Sequence, residues 1–214
     1  MRNVRQHVNP LGLHFQARRA QPVTPPGHLA PACEVDVELG CADAKFSFDL
    51  ARYDPARFVV GLEIREPLVD RNTDLARREG LENLAFGYVN LNVDLDRVFP
   101  ARAIDRFHLL FPDPWFKRRH KKRRVVDDEL VRVIARQLRV GGALHVATDI
   151  WDVALDAMGV LEDVELAPED GRFVNIAGPW TFTRGNPYPC ASKREDTTLA
   201  RGQRVWRMVY RLEG

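Results

Sequence analysis

The sequence predicts an α/β protein built on a doubly wound, mostly parallel sheet with helices on both faces. Three observations carry that expectation. Strand-like apolar runs are separated by helical segments five times over along the chain, the pattern of parallel strands joined by crossovers. Apart from His108, the residues from Phe107 to Phe111 are apolar without alternation, as a strand covered on both faces requires. Hydrogen-bonding residues recur at the carboxyl ends of successive strands, where open α/β sheets bind their ligands.

Taken in order, residues 1–33 contain five prolines and little periodicity. They read as an irregular basic N-terminal arm, with 34–214 as a single domain. Residues 34–39 are a short strand, followed by Gly40-Cys41-Ala42-Asp43-Ala44 and an amphipathic helix through Phe46, Phe48, Leu50 and Ala51. A second strand covers 57–64, and a charged helix runs from about Glu66 to a stop at Gly80. Residues 84–91 are the third strand and 104–111 the fourth. Asp127-Asp128-Glu129 supplies an acidic helix start, with Leu130, Val133, Ile134 and Leu138 on one face and Gly141-Gly142 as the expected end. Residues 143–147 are a fifth strand closed by Thr148-Asp149, a helix begins near Trp151, and 205–212 is a closing strand. No internal repeat or second domain is evident.

At 214 residues the chain is long enough for one α/β domain with a well-buried core. No apolar run approaches the roughly 20 residues that span a bilayer, and Arg2, Arg5, His7 and Asn9 interrupt any signal-peptide core. Cys33, Cys41 and Cys190 are widely spaced and contain no CxxC, so neither a disulfide framework nor a metal site is expected. A cytoplasmic protein that meets no membrane is the expectation.

The net charge of +2 conceals a segregation. Residues 1–33 hold four arginines and no acid, residues 117–124 hold seven Lys or Arg and no acid, and the remainder carries a net −9. A mildly acidic body bearing concentrated cationic segments suits a directed contact with a polyanion. The second cationic segment follows Phe111-Pro112-Asp113-Pro114-Trp115-Phe116 directly. Two prolines thus fix the backbone on either side of a carboxylate and an indole, at the end of a buried strand. Small-molecule chemistry beside a nucleic acid is the function this juxtaposition predicts.

The four strand ends offer Glu38 and Gly40, Glu63, Asn90 to Asn92, and Asp113, which line one crevice in a doubly wound sheet. An acid ending the second strand is placed for a ribose diol. The first turn has one glycine rather than three, so no pyrophosphate fingerprint is present, which argues against NAD or FAD. A nucleoside cofactor without phosphates is left, and S-adenosylmethionine is the commonest of these.

The stretch Phe111-Pro112-Asp113-Pro114-Trp115, with Lys117, Arg119-His120 and Lys122-Arg123-Arg124, resembles the FPDPWPKKRHxKRR signature of the bacterial tRNA (guanine-N7)-methyltransferases, with Phe116 in place of a proline. The resemblance continues through Glu38-x-Gly40, Gly61-x-Glu63, Gly141-Gly142 and Thr148-Asp149, with a weaker echo in Arg194-x-x-Thr197. It implies a Rossmann-like methyltransferase domain, S-adenosyl-L-methionine as cofactor, tRNA as partner, and 7-methylguanosine formed in the variable loop. It implies cofactor contacts from Glu38 (methionine amine), Gly40, Glu63 (ribose), Asn92 (adenine, with Asn90 a near alternative) and Asp113. It further implies a catalytic role for Asp113 against the guanine edge, substrate contacts from Lys117, Asp149 and Thr197, and phosphate contacts from Arg119, His120, Lys121, Lys122, Arg123 and Arg124. Trp115 walls the pocket or fills core. For Glu38 and Glu63 the plain alternative is a strand-end acid capping a neighbouring turn.

Two departures stand out. The family loop reads E-x-G-x-G-x-G, and its second and third glycines are Ala42 and Ala44 here; the tail has Thr198-Leu199-Ala200 where the family has an aromatic and an acid. Alanine disfavours positive φ. The alternative function is therefore a tRNA-binding pseudo-methyltransferase whose degenerate loop no longer takes the cofactor.

Overall fold

The computed structural model describes residues 8–29, 33–114 and 125–214. Seven strands form one sheet: β1 Val35–Leu39, β2 Phe58–Glu63, β3 Leu84–Tyr88, β4 Ile104–Leu110, β5 Leu138–Thr148, β6 Arg172–Asn175 and β7 Trp206–Glu213, in the spatial order β3-β2-β1-β4-β5-β7-β6. The first five pair in parallel, and β7 runs antiparallel to both β5 and β6. The chain reverses direction across the sheet between β1 and β4, so the ends of β1 and β4 flank the switch point where a crevice opens.

Side-chain alternation explains the two layers. Val35, Val37 and Leu39 of β1 face a core shared with α4 (Asp128–Gln137) and α5 (Trp151–Asp163). The opposite face packs under α2 (Lys45–Tyr53) and α3 (Glu66–Glu79) through Phe46, Phe48, Leu50 and Ala76. Asp36 and Glu38 point into this second layer and are buried there. Asp36 is held by Arg57, by Arg106 Nη1 at 3.1 Å and by His108 Nε2 at 2.7 Å, which satisfies a carboxylate that burial alone would penalise.

The expected elements are present, with three corrections. The glycine pair does not end α4. That helix stops at Gln137, and β5 starts at once with Leu138, which pairs with Ile104 before the register jumps to Arg106 opposite Ala143. Gly141 takes a φ of +83°, and a Cβ on Gly142 would meet the Asp105 and Arg139 carbonyls at 2.9 Å. The glycines therefore serve a bulge and a close backbone approach. β3 ends at Tyr88 rather than 91, because the backbone turns at Asn90, whose carbonyl accepts from Val93 and Asp94. In the tail, β6 and α6 (Lys193–Ala200) were not expected. Ser192 caps α6 by accepting from Glu195 N at 3.2 Å, half of a capping box that the S-x-x-E spacing spells out.

The described part of the arm contains a short helix, α1 (Leu13–Ala17), and is tied to the domain beyond it. Asn90 Nδ2 donates to Pro10 O (2.8 Å), Ala20 N to Asp94 Oδ2 (2.5 Å), and Val23 N to Val98 O (3.0 Å). Arg18 pairs with Glu66 and lies over the Tyr88 ring, 4.5 Å from its centroid.

Candidate active site

A crevice of about 490 Å³ opens at the carboxyl ends of β1 to β5, within the size range of small-molecule sites. Glu38, Gly40, Glu63, Asn92, Asp113 and Asp149 all line it. Five strand ends that are remote in sequence are thus gathered by the parallel sheet into one concavity.

The loop after β1 forms the floor. Gly40 has φ +77°, with open space where a Cβ would stand, and the N–H groups of Gly40 and Cys41 both donate to Leu62 O at 2.9 Å. Ala42 and Ala44 have φ of +49° and +57°. Both residues that replace family glycines adopt the left-handed conformation that glycine provides freely. The loop is held there by Ala42 N donating to Glu63 Oε2 (2.9 Å) and by Asn72 Nδ2 donating to Ala42 O (2.9 Å). The Ala44 methyl is fully buried under α2.

Both expected cofactor acids are also engaged by protein groups. Glu38 Oε2 accepts from Ser47 N (3.2 Å) and Ser47 Oγ (2.5 Å) at the start of α2, which is the capping role named as the plain alternative. Burial pushes its carboxyl up to about 8, against the pull of the two Ser47 bonds. Glu63 takes Arg65 on both oxygens, with Nε at 2.9 Å and Nη2 at 2.8 Å. The sequence pattern did not single out Arg65. Its position two residues beyond the strand-ending acid is the only signal that pointed to it.

The structure separates the two asparagines. Asn90 is fully buried, and its side chain both donates to Pro10 O and accepts from Asn92 N at 3.2 Å, so it ties the arm to the turn. Asn92 is partly exposed in the crevice wall.

At the mouth, Phe111 leaves β4 with φ +52° while its N–H donates to Ala147 O at 2.7 Å. Positive φ at a bulky residue is strained, and backbone strain of this kind concentrates at functional turns. Here it swings Pro112-Asp113-Pro114 out of the sheet and over the crevice. Asp113 lies near the Arg65 guanidinium, which it helps to keep charged. Across the mouth, Asp149 Oδ2 accepts from Arg194 Nε (2.8 Å) and from Thr198 Oγ1 (3.2 Å), and it pairs with Arg194 Nη2 at 2.7 Å. Arg194 and Thr198 are one helical turn apart on α6 and face the same way. Thr197, the expected contact, is exposed and its hydroxyl donates to Lys193 O at 2.9 Å. It is not among the residues that line the crevice, and its neighbour Thr198, which bonds to Asp149, is buried. Lys117, Arg119, His120, Lys121, Lys122, Arg123, Arg124 and Trp115 lie outside the described residues. Among the described residues there is no cluster of three metal-ligating side chains and no helix long and apolar enough to cross a membrane.

Comparison with known proteins agrees with this geometry. The family described as "Putative methyltransferase" matches residues 33–208. A tRNA (guanine-N(7)-)-methyltransferase of Trichormus variabilis is 36% identical over 97% of this chain and 94% of its own length. The Microcystis aeruginosa protein of the same name is 35% identical over 98% and 97%, respectively. Among solved structures, the 16S rRNA methyltransferase KamB aligns over 91% of this chain and all of its own, with a TM-score of 0.53 at 16% identity. The aminoglycoside resistance methyltransferase NpmB1 aligns over 84% and 87% with a TM-score of 0.51 at 22% identity; both likenesses speak for the fold. With near full-length identity above a third, a switch-point crevice and the proline-bracketed acid at its mouth, the chain is a methyltransferase and belongs to the tRNA (guanine-N7)-methyltransferase family.

Proposed function

We propose that the protein transfers a methyl group from S-adenosylmethionine to N7 of a guanine in the variable loop of tRNA. The observation that carries this reading is that one crevice holds both halves of the chemistry. Glu38, Gly40, Glu63 and Asn92 lie along its inner wall, and Asp113 and Asp149 stand at its mouth. The residues suit the cofactor: the volume is adequate, the Gly40 turn leaves open space for close approach, and Asn92 offers an amide to an adenine edge. Bound there, S-adenosylmethionine supplies a methyl group on a positively charged sulfur.

Guanine N7 has a free lone pair, so no base is needed to activate it, and the protein's work is alignment and electrostatics. Asp113, fixed by its two prolines, holds the base edge and offsets the positive charge that grows on the purine. Asp149, oriented by Arg194 and Thr198, braces the same base from the other side. Glu63 accepts the ribose hydroxyls once Arg65 turns towards Asp113 or solvent. The cationic run 117–124 grips tRNA phosphates, which makes affinity fall steeply with salt. The reading places the enzyme in the cytoplasm, with 34–214 as its one domain and 1–33 as the arm.

The test is nucleoside mass spectrometry of unmodified tRNA after incubation with the full-length protein and S-adenosylmethionine. We expect 7-methylguanosine, and an Asp113→Asn variant slowed by at least roughly 100-fold while it still binds tRNA. A folded protein that binds both partners and makes no 7-methylguanosine refutes the function; full activity in Asp113→Asn refutes the role of Asp113.

A further inference from the structure

Beside the crevice lies a group of aromatic rings that the methyl-transfer site does not use. Trp151, at the start of α5, sits 4.4 Å from the Trp206 ring and 5.6 Å from Phe182; Phe182 and Trp206 are 5.0 Å apart. The guanidinium of Arg204 lies over the Trp206 ring, 4.6 Å from its centroid. Trp151 is 44% exposed. Phe182 and Trp206 are half-buried and pack against the core, and they hold the Trp151 ring with a large part of its surface open to solvent, an apolar surface available for contact.

Two backbone facts join this cluster to the crevice rim. Trp151 follows Asp149 and Ile150, both of which line the crevice. Trp206 is the register partner of Thr148, the last residue of β5. The rings therefore follow directly on the wall at Asp149, the residue that the proposed function sets against the acceptor base.

The charge around them selects the occupant. Residues 182–207 hold six basic and two acidic residues. The two acids are spoken for: Glu195 pairs with Arg207 and Asp196 with Lys45. Arg184, Arg201 and Arg204 are exposed and form no ion pair among the described residues. Flat apolar faces, an arginine stacked on one of them and unspent positive charge are what an unstacked nucleobase and its phosphate require. Protein interfaces also use aromatics and arginine; the unpaired positive charge around the rings is what favours a polyanion here.

We propose that Trp151, Phe182, Trp206 and Arg204 form a stacking shelf for a nucleotide that flanks the target guanine. The inference rests on the tRNA-methylating function above and adds a subsite to it. To reach N7 inside the crevice, the guanine must leave its neighbours, and each base parted from its stack loses stacking energy. A neighbouring base laid on Trp151 recovers part of that loss and fixes the strand's path into the site. Trp151 is a positioning residue, since it touches no reacting atom.

The experiment is steady-state kinetics with the full-length enzyme and cofactor in excess. Three variants are compared with wild type: Trp151→Ala, Trp151→Phe and Arg204→Ala. The substrates are intact tRNA and two transcripts in which the nucleotide immediately 5′ or 3′ of the target guanine is abasic. A lost stack corresponds to roughly 5- to 150-fold, so Trp151→Ala should raise KM for intact tRNA about tenfold. Its kcat and its S-adenosylmethionine affinity should hold, and Trp151→Phe should recover most of the loss. One abasic transcript should weaken wild type by a similar factor and leave Trp151→Ala no worse, which is the signature of two partners in one contact. An unchanged KM in Trp151→Ala overturns the shelf. So does a loss that simply adds to that of both abasic transcripts, or a Trp151→Ala variant whose mass in light scattering differs from that of wild type. A wild-type enzyme that makes no 7-methylguanosine in intact tRNA overturns the underlying function instead, and the shelf with it.

Discussion

Replacing Ala42 with glycine should stabilise the protein, although glycine substitution in most places does the opposite. Ala42 holds φ at +49°, and a left-handed backbone costs an L-residue roughly 1–2 kcal/mol. Glycine relieves that cost but gains freedom in the unfolded chain, which takes back about 0.4–1 kcal/mol. Ala42 is partly exposed, so little burial is lost, and the net gain is about 0.5 kcal/mol. Ala44 has the same strain at φ +57° but a fully buried methyl. Removing that methyl costs a further ~0.8 kcal/mol, which leaves Ala44→Gly near neutral. Ala42→Val goes the other way and should lose at least about 1 kcal/mol, because a β-branched residue tolerates positive φ worst. Urea unfolding followed by circular dichroism resolves this order. Calorimetric titration with S-adenosylmethionine should give affinities within about threefold for wild type and Ala42→Gly, since the native backbone already has the glycine-like shape. Two results would refute the reasoning. An Ala42→Gly protein less stable by ~1 kcal/mol would mean that the loop is not left-handed. Cofactor binding seen only in the glycine variants would mean that the alanines block the site, as the pseudo-enzyme alternative holds.

Two further outcomes follow from buried charge. The Glu38 carboxyl titrates near 4.5 when unfolded and is held neutral up to about 8 in the fold. Across that window the unfolded chain binds fewer protons, so stability should fall as pH rises, by at most about 1.4 kcal/mol per pH unit. Glu38→Gln, which keeps an acceptor for Ser47, should remove that component when unfolding free energies are compared from pH 5 to 8; identical slopes in the two proteins would contradict the burial argument. Arg207→Ala strands the carboxylate of Glu195, which is 1% exposed and bonded at 3.0 Å by Arg207 Nε. Such a loss costs about 3–5 kcal/mol, readable as a lower urea midpoint, while the double change Arg207→Met with Glu195→Leu should restore most of it.

Local chemistry in the sequence determined much of this protein. The alternation of apolar runs with capped helices is a near-neighbour property, and it sufficed for a doubly wound sheet and for strand ends that carry Glu38, Glu63, Asn92 and Asp113. The Pro-Asp-Pro turn and the cationic run are likewise written in consecutive residues, so an enzyme acting on nucleic acid was legible in the order of residues alone. Gly141-Gly142 was not, because a glycine pair ends a helix and permits a bulge equally well; the choice rests on the Asp105 carbonyl of the neighbouring strand. Only the tertiary structure shows that the Asn90 amide is engaged by Pro10, 80 residues away, while Asn92 is partly exposed in the crevice wall. It likewise shows that Thr198 and not Thr197 bonds to Asp149, because the phase of α6 against Asp149 is set by packing and not by propensity. The same holds for the shelf: Trp151, Phe182 and Trp206 are scattered in the chain, and the pairing of β5 with β7, together with the Thr183 N bond to Arg207 O, brings their rings together.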